Sequence, residues 1–256
     1  MDTVYATPRH VTSLDDCYYY HTMDLPGLGT TSGNWDLRAV LDSYLGFVPV
    51  DGKRVLDVGC ASGMLSMHLE KLGAEVVSFD LDKHGTWDMV PWASWLQREH
   101  VERERTEIID RLNNSYWLSH RLNQSKNRVV YGSVYDIPTA IGPVDIAVYG
   151  SILLHLRDPF RALESGLRLV RERVIVVEPM RGLTAGDGTM TFLPNPATEE
   201  PKDTWWDIPS SAAARMVGVL GFAVERVVTF SAPYDGVANE LYALVAKRDH
   251  GTALEA

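Results

Sequence analysis

The stretch Val55-Leu56-Asp57-Val58-Gly59-Cys60-Ala61-Ser62-Gly63 reads as a buried strand running straight into a glycine turn. Helix-forming residues follow at once. Leu65, Leu69 and Leu72 are spaced to bury one face, and Gly73 suits the C-terminal cap. The next run, Glu75-Val76-Val77-Ser78-Phe79-Asp80, is β-rich and ends in a carboxylate 21 residues after Gly59. In a parallel βαβ unit that interval brings the acid to a bound ribose, whose diol can donate to both carboxylate oxygens. The glycine spacing narrows the ligand. A dinucleotide site needs G-x-G-x-x-G and a phosphate loop needs a Lys after its last Gly, whereas here Gly59 and Gly63 follow an acid, Asp57, and no Lys comes next. Anionic pyrophosphate is therefore a poor guest.

This segment resembles motif I of the class I S-adenosylmethionine-dependent methyltransferases, an acid followed by G-x-G-x-G, with Ala61 standing at the middle glycine. The resemblance runs from about residue 35 to residue 247. Arg128-Val129-Val130-Tyr131 reads as a further strand leading into Gly132-Ser133-Val134-Tyr135-Asp136. In the family this loop lies against the adenine, usually through an acid; Ser133 takes that place here, so its hydroxyl and the main chain near Val134 and Tyr135 would make the contact. Val144 to Gly150 resembles the family's fourth strand, Ser151-Ile152-Leu153-Leu154-His155-Leu156 the motif after it, and Val174 to Pro179 the fifth strand. The resemblance implies S-adenosylmethionine as cofactor. It would be held by Asp57, Gly59, Cys60, Ala61, Ser62, Gly63, Asp80, Leu81, Gly150 and Ser151.

The residues between these motifs predict the same architecture: a doubly wound, Rossmann-like α/β fold with a seven-stranded sheet, helices on both faces and an antiparallel C-terminal hairpin. Asn34 is placed to cap a helix carrying Leu37, Val40, Leu41, Tyr44 and Leu45. Asp158 and Pro159 open a second helix, and Ser210 a third that ends at Gly221. Phe222 to Ser231 and Glu240 to Lys247 are β-rich and joined by Pro233, Asp235 and Gly236.

With 256 residues, 45% of them hydrophobic, the chain can bury one sizeable core. A net charge of −10 opposes a phosphate backbone, so nucleic acid is an unfavoured partner. Cys17 and Cys60 form neither a disulfide framework nor a metal-ligand spacing, and no metal is expected. No signal segment or membrane-length apolar run is seen, which leads us to expect a cytoplasmic protein.

Three decorations interrupt the fold. Residues 1–34, with Cys17-Tyr18-Tyr19-Tyr20-His21-Thr22-Met23-Asp24 and a glycine-rich stretch, read as an N-terminal arm or lid ahead of a methyltransferase domain at 35–247. An insertion over about 83–127 starts with Gly85 to Trp92 and continues as charged helix from Glu99 to about Lys126; it serves as a substrate cap or as the interface of a homodimer. Its Glu and Arg run from Glu102 to Arg111 reads as a solvated face. A long irregular loop at about 180–207 ends in Trp205-Trp206 and is placed to close over the acceptor. Residues 248–256 read as a tail.

A sulfonium makes its methyl carbon electrophilic, so the protein has to align the acceptor, exclude water and take a proton from a hydroxyl. The candidate bases are His155, His21 and Asp24. Trp35 and Arg38 would contact the cofactor, Arg38 through its methionyl carboxylate, with an acidic substrate or a surface ion pair as the alternative partners of Arg38. Trp87, Tyr116, His120 and Glu178 are the candidate substrate contacts. The acceptor expected is a small hydroxylated or heterocyclic metabolite, methylated at oxygen. A second reading rests on Trp35-Asp36 and on His155-Leu156-Arg157-Asp158-Pro159, which are distantly similar to enzymes that alkylate the wobble uridine of transfer RNA with a carboxylated form of the cofactor. It needs a basic groove, which this acidic chain opposes. A non-catalytic cofactor-binding protein is the third reading.

Overall fold

A computed structural model of the chain describes residues 4–85, 87–93, 98–182 and 187–249. In chain order its elements begin with a short pair, β1 (Met23–Leu25) and β2 (Gly29–Thr31), and one helical turn, α1 (Leu41–Tyr44). β3 (Arg54–Val58), α2 (Met64–Lys71), β4 (Glu75–Asp80), α3 (Arg98–Leu122) and β5 (Arg128–Tyr131) follow. Then come β6 (Val144–Gly150), α4 (Pro159–Leu167), β7 (Val170–Pro179), the two-residue strands β8 (Thr191–Phe192) and β9 (Trp206–Asp207), α5 (Ser210–Val219), and the hairpin β10 (Phe222–Tyr234) with β11 (Val237–Arg248).

Seven strands form one sheet in the order β10-β11-β7-β6-β3-β4-β5. The bonded pairs among β3 to β7 are parallel; β11 enters antiparallel beside β7 and carries β10 at the edge. Alternation along each strand serves two cores. Val55, Val76, Ile146 and Ile175 face a layer containing Leu65 and Leu69 of α2 and Tyr116, Trp117 and Leu118 of α3. Leu56, Val77, Ala147 and Val176 face the opposite layer, with Leu163 and Leu167 of α4 and Ala213 and Val217 of α5. With both faces covered, apolar residues are favoured at every strand position, which is why the strands read as near-continuous β-branched runs.

Three expectations are revised. The helix predicted from Asn34 shrinks to the single turn α1, because Asn34 and Asp36 extend the chain to the hairpin: Asp36 N donates to the Pro233 carbonyl, Asp235 N to the Asn34 carbonyl, and the Asn34 amide to Asp235. The hairpin strands are longer than predicted and include Pro233, tolerated on an edge strand. Of the expected tail, Arg248 ends β11 and donates to the carbonyls of Leu167 and Val170; residues 250–256 lie outside the described residues.

The N-terminal arm packs along the domain. Ala6 N donates to the Val129 carbonyl, Arg9 pairs with Asp110 of α3 at 2.8 Å, and Tyr18 N donates to the Arg111 carbonyl. Trp35 then bridges two segments, pairing with His21 on one side and Tyr234 of β10 on the other.

Candidate active site

Parallel sheets of this order open a crevice where neighbouring crossovers diverge to opposite faces, here between β3 and β6. A cavity of about 340 Å³ lies at the carboxyl ends of these strands. Its floor is the turn after β3. Gly59 and Gly63 take φ of 80° and 84°, and Gly63 opens α2. Ala61 also lies in the left-handed region, at φ 49°, the conformation that makes glycine usual at its position. Asp80 at the tip of β4 holds this turn in place: its Oδ2 accepts from Ala61 N at 2.6 Å and its Oδ1 from Leu81 N at 2.7 Å. Burial pushes the Asp80 carboxyl up, and the two N–H bonds oppose that shift. Each oxygen keeps a lone pair for a further donor.

Across the crevice, Gly150 ends β6 and Ser151 turns the chain at φ 52°. A Cβ on Gly150 would lie 2.3 Å from the Tyr44 hydroxyl, so glycine is what allows that approach. Ser133, Val134 and Tyr135 form the side wall after β5, with Ser133 Oγ accepting from Tyr135 N at 3.3 Å.

The roof comes from the decorations. His155, in the turn after β6, holds its Nδ1 2.6 Å from the Asp203 carbonyl. A carbonyl only accepts, so Nδ1 carries the proton and Nε2 is the bare nitrogen of the neutral ring. Burial lowers the His155 pKa, which keeps the ring neutral. Arg105 of α3 forms an ion pair with Asp203 at 2.7 Å and lies 5.0 Å from the centre of the Trp87 ring; all three residues line the cavity. Trp205 Nε1 donates to the Asp88 carbonyl at 2.7 Å, and Asp88 accepts from the Tyr135 hydroxyl and from Arg157 N. The insertion, the long loop and the His155 turn thus meet over one cavity.

The arm supplies Tyr18, Tyr20 and His21 to the same cavity, and Trp35, just after it, joins them. Trp35 packs edge-on to Tyr234 and donates to the Tyr20 hydroxyl at 3.2 Å. Burial lowers the His21 pKa to about 4, and its Nδ1 is a buried polar atom with no partner among the described residues. The arm depends on Gly33, where a Cβ would lie 2.4–2.7 Å from the His21 backbone, with no side chain able to move aside. We expect Gly33→Ala to lower the melting temperature by several degrees and to reduce cofactor affinity at the same time; thermal melts with and without S-adenosylhomocysteine check this.

Several sequence candidates do not reach the cavity. Asp57 lies beneath the turn and accepts from Ser66 Oγ, in a buried chain that continues through Ser78 to the Tyr116 hydroxyl; burial pushes its carboxyl up to about 7. Cys60 and Ser62 are buried within the turn. Tyr116 packs under Gly63, and His120 bonds the Asn127 carbonyl. Glu178 is buried behind the His155 turn, accepting from Leu153 N at 2.8 Å. Arg38 is taken up by Asp24 and Asp36, and Asp24 is exposed, with Thr30 also bonded to it. Tyr44, Asp88, Arg105, Asp203 and Tyr234 line the cavity without having been named as site candidates from the sequence. For Arg105 the only signal was a charged helical run.

No protein-family model matches the chain. Over 79 residues, 30% of the chain, it is 35% identical to a ribosomal protein L11 methyltransferase of Vibrio campbellii, spanning 24% of that protein. Over 62 residues, 20% of the chain, it is 45% identical to a ubiquinone biosynthesis O-methyltransferase of Xylella fastidiosa, spanning 25% of it. These matches cover about a quarter of the curated relatives' length. Among solved structures, a magnesium protoporphyrin IX methyltransferase of Synechocystis PCC 6803 with bound SAH superposes with a TM-score of 0.53 at 16% identity, over 83% of this chain and 82% of that one. The fold is that of the class I methyltransferases. In this fold the Gly59 turn follows β3, at the centre of the parallel part of the sheet, and Asp80 ends the neighbouring strand β4.

Proposed function

We propose that the chain is an S-adenosylmethionine-dependent methyltransferase acting on a small-molecule acceptor at oxygen. The residues fit the cofactor: Asp80 keeps acceptor capacity for a ribose diol, the main chain at Gly59 and Gly150 is open to close approach, and His21 Nδ1 is an orphaned polar atom beside motif I. When bound, S-adenosylmethionine supplies an electrophilic methyl carbon on a sulfonium. The rest falls to the protein. The aromatic walls would exclude water and align the acceptor, and His155 Nε2 would take the proton of the acceptor hydroxyl.

The observation that carries this reading is the commitment of the His155 Nδ1 proton to the Asp203 carbonyl, which leaves a neutral base in the cavity wall. One curated relative is named for a protein substrate and another for a quinone pathway; a cavity roofed by Trp87, Arg105 and Asp203 favours a small acceptor over a polypeptide. The charge of −10 speaks against transfer RNA.

Calorimetric titration with S-adenosylmethionine and S-adenosylhomocysteine should give micromolar or tighter binding to both; absence of heat with either would remove the reading. Filter retention of bulk transfer RNA should be negligible at moderate salt. Tight, salt-sensitive retention would favour the wobble-uridine alkyltransferase reading instead.

A further inference from the structure

The proposed mechanism uses His155, whose Nδ1 is held by Asp203, itself paired with Arg105. The carbonyl that holds Nδ1 belongs to Asp203, and the side chain of the same residue pairs with Arg105, a cavity residue of the inserted helix. The segment is pinned on both sides of this point. The Lys202 carbonyl accepts from Val90 N at 2.9 Å, and Trp205 N donates to the Leu154 carbonyl at 2.8 Å. Asp203 and Thr204 span the gap between these anchors, and within it the Asp203 carboxylate bonds Arg105 while the Thr204 hydroxyl sits 3.4 Å from His155 Nδ1. Arg105 is itself steadied against the face of Trp87. Its side chain is one-quarter exposed, as is that of Asp203, a setting in which an ion pair orients groups more than it stabilises the fold.

We propose that Asp203 and Arg105 are positioning residues: the Arg105–Asp203 ion pair turns the Asp203 carbonyl onto His155 Nδ1, so that Nε2 faces the acceptor as the proton-accepting nitrogen only while the inserted helix α3 is docked over the cavity. The solvated face expected for Glu102 to Arg111 thereby has an exception on its inner side, and the insertion becomes a device that assembles the base. This inference rests on the proposed role of His155 in methyl transfer.

The test reads the imidazole directly and needs no acceptor. The full chain is labelled with ¹⁵N-histidine and the ring nitrogens are followed by long-range ¹H–¹⁵N correlation at pH 7, with the His155 signals assigned by their loss in His155→Asn. The wild type is expected to show a protonated Nδ1 and a bare Nε2. In Arg105→Ala and in Asp203→Asn the Nδ1-protonated form should fall from near-complete to a minority, and the charge-swapped pair Arg105→Asp with Asp203→Arg should restore much of it. Arg105→Lys, which keeps the charge, guards against a general loss of folding. A wild-type ring protonated on Nε2, or an Nδ1 signature unmoved in both single variants, overturns the proposal. Binding of S-adenosylhomocysteine to the wild type is measured on the same sample. Its failure would remove the methyltransferase reading while leaving the tautomer result to stand or fall alone.

Discussion

Asp80→Ala is expected to weaken binding of S-adenosylhomocysteine at least a hundredfold by calorimetry. Two ribose hydroxyls would donate to this carboxylate, and a hydrogen bond to a charged group contributes about 1.5–3 kcal/mol, so about 3 kcal/mol or more is lost. The same carboxylate also holds Ala61 N and Leu81 N, with Ala61 in a left-handed conformation. From the sequence alone, one expects the substitution to leave the ligand-free protein's melting curve nearly unchanged. The hydrogen bonds change that expectation: the ligand-free variant should melt several degrees lower, because two main-chain donors lose their partner. Asp80→Asn, which keeps one carbonyl acceptor, should recover part of the stability but little of the affinity. Unaltered affinity in Asp80→Ala would mean that the ribose lies elsewhere.

Glu178→Gln is expected to make the protein more stable in mild alkali. The Glu178 carboxyl is buried, one oxygen accepts from Leu153 N and the other has no partner among the described residues; burial pushes its pKa up from an ordinary 4.5 to about 8. The folded protein therefore keeps a proton there between pH 4.5 and 8 that the unfolded chain releases. This contribution is whole below pH 4.5 and drains away as pH climbs through 8. Asp57, raised to about 7, acts in the same direction at lower pH, and His21, lowered to about 4, acts oppositely below 6.5. From pH 7 to 8, then, the slope belongs mainly to Glu178, which is half titrated at pH 8 and so accounts for about 1 kcal/mol across that unit. Urea midpoints of the wild type should fall over that range and those of Glu178→Gln should stay level, with a gap of up to about 4 kcal/mol at pH 8. Parallel curves for the two proteins would show that the carboxyl is ionised in the fold.

The strands were legible because burial on both faces writes itself as unbroken apolar runs, and the Gly59 turn with Asp80 was legible because backbone geometry demands particular residues at fixed intervals. Asp158 opening α4 was legible for the same reason, and its carboxylate accepts from Arg161 N. The roof was not. Arg105 and Asp203 are 98 positions apart, and neither carries a local pattern that announces the other. Tyr116 shows the converse: at helical spacing from His120 it looked like a cavity residue, yet its ring fills the space under Gly63, because the inward stripe of a helix is apolar whether it faces a ligand or a core.

The bond between Asn34 and Asp235 spans 201 positions, and Trp35 sits between His21 and Tyr234. On a ribosome, the segment that walls motif I emerges early but finds its hydrogen-bonding neighbour only after the edge hairpin has been translated. Nascent intermediates would thus own a nearly finished sheet and an open nucleoside cleft, and cofactor affinity would be among the last properties acquired during synthesis.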